Sequence, residues 1–288
     1  MYPASFEYHR AASVADALAL MEKYGDDAKV LAGGHSLLPV MKLRFASPGH
    51  LIDIGRIGAL QGVSEAGGVV TIGALARHAE VAAFASGRRG LGALADAASA
   101  IGDVQVRNRG TIGGSVAHAD PGADLPAALL ALAADIVVTG KGGERIITAD
   151  QYFVDTFTTS MKTGELVTQV RIKVPAAGTG TAYVKYADAA SGYAVVGVAA
   201  CVTVAGGKVT AARVAMTGMG PKAMRLSGVE SALNGQPATE AGAKSATADA
   251  AKGLDLYDDA RGSASYKAAL VSIHSARAIV TAIGRAGA

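Results

Sequence analysis

The stretch Ala32-Gly33-Gly34-His35-Ser36-Leu37-Leu38-Pro39 joins a segment with strand character, 29–31, to one with helix character, 36–44. Glycine has no β-carbon to hold a ligand away from the backbone, and the first residues of a helix carry N–H groups without partners. Ser36 is the candidate N-cap of this helix. A strand, a glycine turn and a helix start, in this order, favour the binding of an anion. The sequence therefore predicts that a phosphate-bearing cofactor binds at this turn.

A second glycine pair lies in the stretch Gly110-Thr111-Ile112-Gly113-Gly114-Ser115, again flanked by hydroxyl side chains. Each pair alone is most simply a tight turn, because glycines commonly punctuate loops. Two such turns in one region suit a dinucleotide, whose two phosphates each need hydrogen-bond donors. From the residues alone, a dinucleotide site and two ordinary turns both remain open.

Other chemical motifs are missing from the sequence. A nucleophile elbow needs a glycine two residues after its serine, and Leu38 stands there after Ser36. Neither glycine pair belongs to a P-loop or to a G-x-G-x-x-G fingerprint. The only cysteine, Cys201, lies in the apolar run 195–204, which predicts a small buried side chain rather than a nucleophile or a cluster ligand. The six histidines do not fall at metal-ligand spacing, and 118–120 could supply only part of a site, so no metal site is predicted.

Composition limits the partners and the location of the protein. The chain has 288 residues, enough for two domains, and half of them are apolar. Its formal net charge of +3 includes no basic run beyond Arg88-Arg89, which argues against a nucleic-acid partner. The most apolar segment, 125–138, is short and interrupted by Asp135, and the N-terminus lacks the features of a signal peptide. We therefore expect a cytoplasmic protein without a transmembrane segment.

Hydrophobic periodicity predicts an α+β fold. The stretch 13–16 resembles a capping box and begins a helix that runs to Tyr24, where Gly25 ends it. Strands at 30–32 and 51–54 flank the first glycine turn and its helix as a β-α-β unit. After residue 55 the pattern predicts strands at 68–73, 136–139, 145–148 and 166–172, and helices at 75–84, 91–101 and 125–134.

The segment 175–180 is the best candidate for a linker. Three strands are predicted after it, at 181–187, 194–204 and 208–216, the last two joined by a Gly206-Gly207 hairpin. Helices predicted near 225–233, 239–251 and 263–283 would cover one face of this sheet. The expected domains are therefore 1–176, with subdomains of about 1–56 and 57–176, and 177–288.

Three further residues are candidates on their chemistry alone. Asp124 could bind a ribose hydroxyl, but capping of the helix at 125–134 is the commoner role. Tyr193 precedes a buried strand and could lie against a planar ring or simply be a half-buried strand-edge residue. Lys185 alternates with apolar neighbours, which predicts a solvent-facing side chain.

The two glycine motifs together resemble the paired FAD-binding motifs of the flavoprotein (medium) subunit of molybdenum hydroxylases, the family of xanthine dehydrogenase and aerobic carbon monoxide dehydrogenase. The resemblance covers the whole chain and includes the stretches 6–8, 51–54 and 72–74. Gly34-His35-Ser36 and the continuation 38–45 are most similar to the carbon monoxide dehydrogenase branch. The implied fold is a two-subdomain PCMH-type (vanillyl-alcohol-oxidase-like) FAD-binding domain, followed by a C-terminal domain with a three-stranded antiparallel sheet and a helical bundle.

The resemblance also implies which residues hold FAD. The pyrophosphate would lie on the two glycine turns, Ile101 and Gly102 would approach the flavin, and Asp124 would bind ribityl or ribose hydroxyls. Val167 would face the ring, Lys185 its edge, and Tyr193 matches a tyrosine near the ring in the carbon monoxide branch. The full implied set is Ala32, Gly33, Gly34, His35, Ser36, Leu37, Leu38, Ile101, Gly102, Thr111, Gly113, Gly114, Ser115, Asp124, Val167, Lys185 and Tyr193, with no catalytic acid or base.

Two positions depart from the family pattern. Ser115 stands where asparagine is common, and Asp188-Ala189-Ala190 stands where many relatives carry a basic cluster. Both departures lie near the implied flavin site.

The family implies an electron relay, because this chain has one cysteine and no molybdenum pterin signature. The molybdenum pterin cofactor and the [2Fe-2S] clusters would belong to separate large and small subunits, in a dimer of heterotrimers. FAD would pass electrons to quinone, oxygen or a nicotinamide, in the cytoplasm or peripherally at the inner face of the membrane. The alternatives are a purine, aldehyde or N-heterocycle hydroxylase, a cofactor-free scaffold, and a free-standing flavin oxidase.

Overall fold

The computed structural model describes residues 1–256, 258 and 262–287. Its first sheet is entirely parallel, with β3 (His50–Asp53) between β1 (Glu7–Arg10) and β2 (Ala28–Leu31). The Ser13 hydroxyl accepts a hydrogen bond from the N–H of Asp16, whose carboxylate in turn accepts from the N–H of Ala12, so the predicted helix start is confirmed. This region contains β1 (Glu7–Arg10), α1 (Val14–Tyr24), β2 (Ala28–Leu31), α2 (Leu37–Lys42) and β3 (His50–Asp53).

The first glycine turn joins β2 to α2, as predicted. Gly34 has a φ of +76°, in the left-handed region where glycine is favoured. Ser36 precedes α2, but its backbone is already helical and its side chain makes no capping hydrogen bond, so the predicted N-cap role of its hydroxyl is wrong. That hydroxyl is therefore not occupied by the helix.

The second region is built on a five-stranded antiparallel sheet, whose strands lie in the order β4 (Val63–Ala66), β5 (Val69–Gly73), β10 (Leu166–Lys173), β6 (Asp135–Gly140) and β7 (Gly143–Thr148). The predicted hairpin at 142–143 joins β6 and β7. Helices of this region bury an alanine- and leucine-rich core against the sheet. Its elements are β4 (Val63–Ala66), β5 (Val69–Gly73), α3 (His78–Ala85), α4 (Gly92–Ser99), α5 (Val104–Arg107), α6 (Ile112–His118), α7 (Asp124–Ala131), β6 (Asp135–Gly140), β7 (Gly143–Thr148), α8 (Ala149–Tyr152), β8 (Phe153–Asp155), β9 (Thr158–Thr159) and β10 (Leu166–Lys173).

The second glycine pair is not a turn, contrary to the prediction. Gly113 and Gly114 lie in the first turn of α6, and the Thr111 hydroxyl caps this helix by accepting from the N–H of Gly114. A β-carbon on Gly113 would lie 2.5 Å from that of Ala74, so glycine here permits close packing of α6 against the segment after β5.

The third region contains an antiparallel sheet, whose strands lie in the order β11 (Thr179–Ala187), β12 (Ala194–Ala205), β13 (Lys208–Thr217) and β14 (Met224–Arg225). The three predicted strands and the hairpin at 206–207 are present, and the two-residue strand β14 extends the sheet. The elements are β11 (Thr179–Ala187), β12 (Ala194–Ala205), β13 (Lys208–Thr217), β14 (Met224–Arg225), α9 (Ser227–Leu233), α10 (Glu240–Thr247) and α11 (Ala264–Ala286). No helix among the described residues has both the length and the apolar character that crossing a bilayer requires.

This sheet is covered on both faces. Val198 and Val214 belong to a core shared with α11, whereas Tyr183 and Ala199 belong to the core of the second region. Helix α11 packs on β11 and β12, and α4 and α7 also pack on this sheet. The near-continuous apolar sequence of β12 follows from this two-sided burial.

Candidate functional site

The loop after β2 lies directly against the loop before α6. A β-carbon on Gly33 would lie 2.3 Å from the carbonyl oxygen of Arg109 and 2.8 Å from the α-carbon of Gly110. Any larger residue would push the two loops apart, because the obstructing atoms are backbone. The two glycine motifs thus form one surface, although Gly33 and Gly110 are 77 residues apart in the sequence.

This surface forms one wall of a cleft of about 560 Å³, which is within the usual range for small-molecule sites. Most of the predicted site residues line it. They are Ala32, Gly33, Gly34, His35, Ser36, Leu37, Ile101, Gly102, Thr111, Gly113, Gly114, Ser115, Asp124, Val167 and Tyr193.

Two predicted residues, Leu38 and Lys185, do not line the cleft. A β-carbon on Gly34 would lie 2.9 Å from Cδ1 of Leu38, so Leu38 packs beneath the glycine turn. Lys185 lies behind Asp124, at hydrogen-bond distance from its carboxylate. Both residues support the wall of the cleft from outside.

The first loop offers unoccupied backbone donors. The N–H groups of Gly34, His35 and Ser36 make no hydrogen bond to any residue that the structure describes. Nδ1 of His35 lies 3.0 Å from the carbonyl oxygen of Gly33, within the same loop. Adjacent free N–H groups at a glycine turn form a concave anion site.

The second motif contributes differently. The N–H of Gly113 donates to the carbonyl oxygen of Ala74, and that of Gly114 donates to the Thr111 hydroxyl. Because these donors are occupied, the second glycine pair provides close approach rather than N–H groups. The half-buried Ser115 on α6 adds a hydroxyl to the cleft wall.

Asp124 forms a buried polar cluster with two residues of β11. Its Oδ2 lies 2.9 Å from Nζ of Lys185, and its Oδ1 accepts a 2.5 Å hydrogen bond from the Tyr183 hydroxyl. The expected capping role of Asp124 is wrong, since α7 has no side-chain cap, and the expected solvent exposure of Lys185 is also wrong. Strand alternation failed for Lys185 because both faces of the sheet are covered.

The electrostatics of this cluster follow from burial. Burial raises the pKa of the Asp124 carboxyl, and the adjacent Lys185 ammonium opposes that rise. Burial, together with the negative charge of Asp124, raises the pKa of Tyr183 well above its usual value. Tyr183 therefore remains a hydrogen-bond donor to Asp124 and fixes one of its oxygens.

The loop at 101–102 is held by hydrogen bonds from cationic side chains to its carbonyl oxygens. Arg107 donates to the carbonyl oxygens of Ile101, at 2.9 Å, and of Gly102, at 3.1 Å. Lys185 also donates to the carbonyl oxygen of Ala100, at 3.0 Å. Two cations thus fix this segment in the cleft wall.

His78, at the start of α3, faces the cleft from beneath the second loop. A β-carbon on Gly110 would lie 2.8 Å from Nε2 of His78. Burial, with the positive charges of His35 and Arg107, lowers the pKa of His78 to about 4, so the ring is neutral near neutral pH. Within the described structure its Nδ1 is buried without a hydrogen-bond partner, which leaves a polar atom beside the cleft for a ligand or water.

Tyr193 stands between the cleft and a second cavity of about 430 Å³ and lines both. Its side chain is 44% exposed, in keeping with the predicted half-buried position before β12. Asp188 belongs to the segment 188–190, which differs from the family pattern, and it accepts hydrogen bonds from the N–H groups of Ala190 and Ser191. Asp188 therefore shapes the turn that presents Tyr193.

Sequence reasoning missed His78, Arg107, Tyr183 and Ala74 as parts of this site. Ala74 follows β5 and Tyr183 lies within β11, and nothing local indicates a role of either residue in the site. Arg107 ends α5, a short helix that the hydrophobic pattern did not predict. Tyr183 reaches the site from the third region, whereas the other three residues belong to the second region.

Comparison with known proteins identifies the family of this chain. Residues 4–176 match the family described as "FAD binding domain in molybdopterin dehydrogenase", and residues 181–282 match "CO dehydrogenase flavoprotein C-terminal domain". The chain belongs to the molybdenum hydroxylase flavoprotein family. Members of this flavoprotein family are FAD-binding subunits of oxidoreductases, so the predicted family, cofactor and enzyme class are confirmed.

Relatives match across nearly the whole chain. The carbon monoxide dehydrogenase medium chain of Hydrogenophaga pseudoflava is 43% identical, over 99% of both chains. That of Afipia carboxidovorans is 38% identical, also over 99% of both chains. The 6-hydroxypseudooxynicotine dehydrogenase complex subunit alpha of Paenarthrobacter nicotinovorans is 37% identical, over 99% of this chain and 97% of its own. These flavoproteins are named as medium chains or as subunits of complexes.

Solved structures also match the flavoprotein fold. The carbon monoxide dehydrogenase structure from Hydrogenophaga pseudoflava superposes with a TM-score of 0.93, over 99% of both chains at 43% identity. Quinoline 2-oxidoreductase from Pseudomonas putida 86 superposes with a TM-score of 0.91, over all of both chains at 29% identity. The predicted α+β fold is therefore confirmed.

Proposed function

We propose that this flavoprotein is the FAD-carrying, electron-transferring subunit of an aerobic carbon monoxide dehydrogenase-like complex. The observation that carries the assignment to FAD is the packing of Gly33 on Arg109 and Gly110, which joins both motifs into one wall of the cleft. The 43% identity to a carbon monoxide dehydrogenase medium chain supports the choice of substrate.

The residues of the cleft fit a dinucleotide. We assign the pyrophosphate to the first loop, where the N–H groups of Gly34, His35 and Ser36 are available. Gly113 and Gly114 would permit its close approach on the other side, and the hydroxyls of Thr111 and Ser115 add polar groups there. Neither loop contributes a carboxylate, whose negative charge would repel the pyrophosphate.

We assign the isoalloxazine ring to the end of the cleft that contains Ile101, Gly102, Val167 and Tyr193. Arg107 fixes the 101–102 loop, and Lys185 with Tyr183 fixes Asp124, which would bind ribityl or ribose hydroxyls. Bound FAD supplies the redox chemistry, which takes up single electrons and passes on pairs, while the protein supplies position and electrostatics. No residue of the chain needs to act as an acid or base.

The domain division 1–176 and 177–288 remains part of this proposal. So do the partners, a large subunit with the molybdenum pterin and a small one with [2Fe-2S] clusters, in a dimer of heterotrimers. The acceptor would be a quinone, oxygen or a nicotinamide. The complex would lie in the cytoplasm, free or peripheral at the inner face of the membrane.

A second candidate substrate class is an N-heterocycle. The 37% identity to the 6-hydroxypseudooxynicotine enzyme subunit nearly equals the 38% identity to the second carbon monoxide dehydrogenase chain. Because the large subunit would bind the substrate, the cleft of this flavoprotein does not distinguish the two classes.

Two experiments test the proposal. The purified chain is reconstituted with FAD and its flavin absorbance measured. Saturable loading is expected, and its absence would leave the cofactor-free scaffold. The native complex is then assayed with carbon monoxide and, in parallel, with quinoline, nicotine, purine and aldehyde substrates. Reduction by carbon monoxide alone supports the first assignment, activity only with the others overturns it, and full activity of the isolated chain would indicate a flavin oxidase.

A further inference from the structure

The side chains of Glu7, His9 and His50 meet near the end of the first sheet where its strands begin, opposite the end that carries the glycine loop. Strands β1 and β3 are parallel, with Glu7 opposite His50, and Glu7 and His9 project from the same face because they are two residues apart. Parallel strands place their starts at one edge, whereas the glycine loop follows the end of β2. This cluster is therefore separate from the cleft.

The three potential ligand atoms form a compact triangle. Nε2 of His9 lies 3.1 Å from Nδ1 of His50, and Oε2 of Glu7 lies 3.4 Å from that Nδ1 and 3.8 Å from that Nε2. Ligand atoms about 2.0–2.1 Å from a tetrahedral Zn²⁺ are about 3.3–3.4 Å apart. The three measured separations, from 3.1 to 3.8 Å, lie close to this spacing. One ion could therefore contact all three atoms with little side-chain movement.

Neighbouring residues hold both imidazoles in place. The Tyr24 ring stacks on His50 at 3.8 Å between ring centroids and on His9 at 4.7 Å. Nε2 of His50 faces the Asp27 carboxylate at 3.9 Å, and Asp27 is itself fixed by the N–H of Gly49 at 2.8 Å. A carboxylate behind a ligating histidine is the usual arrangement at metal sites, because it orients the ring and increases its basicity.

We propose that Glu7, His9 and His50 form a binding site for a divalent transition cation of the Zn²⁺ class, with the fourth position open to water. Two imidazole nitrogens and one carboxylate oxygen suit this class better than Mg²⁺ or Ca²⁺, which prefer oxygen ligands. The bound ion ties the edge strand β1 to the central strand β3. Sequence spacing did not reveal the site, because strand pairing rather than a local motif brings residues 9 and 50 together.

The test is calorimetric titration of the full-length, FAD-loaded chain, without a histidine tag, with Zn²⁺ alone. One ion per chain with a micromolar or tighter Kd is expected. Glu7→Gln and His9→Phe, the latter keeping a ring against Tyr24, should each weaken binding at least about tenfold. The matched control is Glu22→Gln on the exposed face of α1, which should bind as the parent does.

X-ray absorption at the zinc edge provides the structural readout. A first shell of nitrogen and oxygen at about 2.0–2.1 Å, with scattering from two imidazole rings, is expected. A shell without imidazole, the absence of saturable binding, or equal weakening by Glu22→Gln would overturn the proposal. Flavin content is measured on every variant and should not change, so failure of this site is distinguishable from failure of the FAD assignment.

Discussion

Nζ of Lys185 lies 2.9 Å from Oδ2 of Asp124, and the two side chains are only 8% and 6% exposed. Replacing Lys185 by Met leaves a buried carboxylate without its cation. We expect a loss of about 3–5 kcal/mol in unfolding free energy, measured in urea, and weaker FAD binding. Lys141→Met, which breaks an exposed pair with Glu22, is the control and should change neither quantity. Equal stability of the Lys185 variant and the parent would show that the pair has no structural role.

The contact of Gly33 with the second loop gives a second prediction. Gly33→Ala places a methyl group 2.3 Å from the carbonyl oxygen of Arg109, so the two loops must separate. We expect FAD affinity, measured by fluorescence titration, to fall at least about tenfold, which corresponds to about 1.4 kcal/mol of binding free energy. Gly142→Ala, in the β6–β7 hairpin with no atom nearby, should bind FAD like the parent. Unchanged FAD affinity of the Gly33→Ala variant would contradict the proposal that the two loops together hold FAD.

The Tyr183 hydroxyl gives a third prediction. Tyr183→Phe keeps the ring but removes one donor to buried Asp124, which should cost about 1–3 kcal/mol of unfolding free energy. Tyr186→Phe, on the same strand but 43% exposed, is the matched comparison and should change stability little. Urea unfolding of both variants measures the difference, and equal losses would argue against a specific bond to Asp124.

His78 predicts a dependence of stability on pH. Its folded pKa of about 4 lies below the ordinary value of 6.5, so the unfolded chain binds the proton more readily. The stability is complete above pH 6.5 and falls by about 3 kcal/mol as the pH falls to 4. His78→Gln should reduce this acid slope in urea unfolding measured across that range. Part of the slope should persist through His274, whose pKa burial also lowers, and an unreduced slope would contradict the prediction.

Local sequence rules predicted the fold well where one interaction dominates. The β-α-β unit, the Ser13 helix start and the two glycine hairpins follow from capping, periodicity and turn chemistry within a few residues. The Thr111 cap of the second glycine pair is local, but the packing of Gly113 on Ala74 involves a residue from a distant part of the sequence, and the pair was misread as a turn. Lys185 was misread because alternation assumes one wet face, and here both faces of the sheet are covered.

The site residues divide in the same way. Those in the two motifs could be proposed from the sequence, since the pattern itself carries the chemistry. His78 and Tyr183 contact Gly110 and Asp124, which are far away in the sequence, and no local pattern encodes those contacts. Arg107 contacts carbonyl oxygens of the nearby 101–102 loop, but the helix that places it was not predicted.

Because both faces of the last sheet are covered, this sheet connects helix α11 to α4 and to the proposed FAD cleft. Arg285 near the end of α11 donates to the carboxylate of Asp96 on α4 at 2.6 Å and to the carbonyl oxygen of Thr181 at 3.0 Å. A β-carbon on Gly180 would lie 1.9 Å from the carbonyl oxygen of Ala282, so helix and strand are in backbone contact. A random-mutation screen for loss of yellow colour should therefore recover changes in α11, whose residues do not line the proposed FAD cleft.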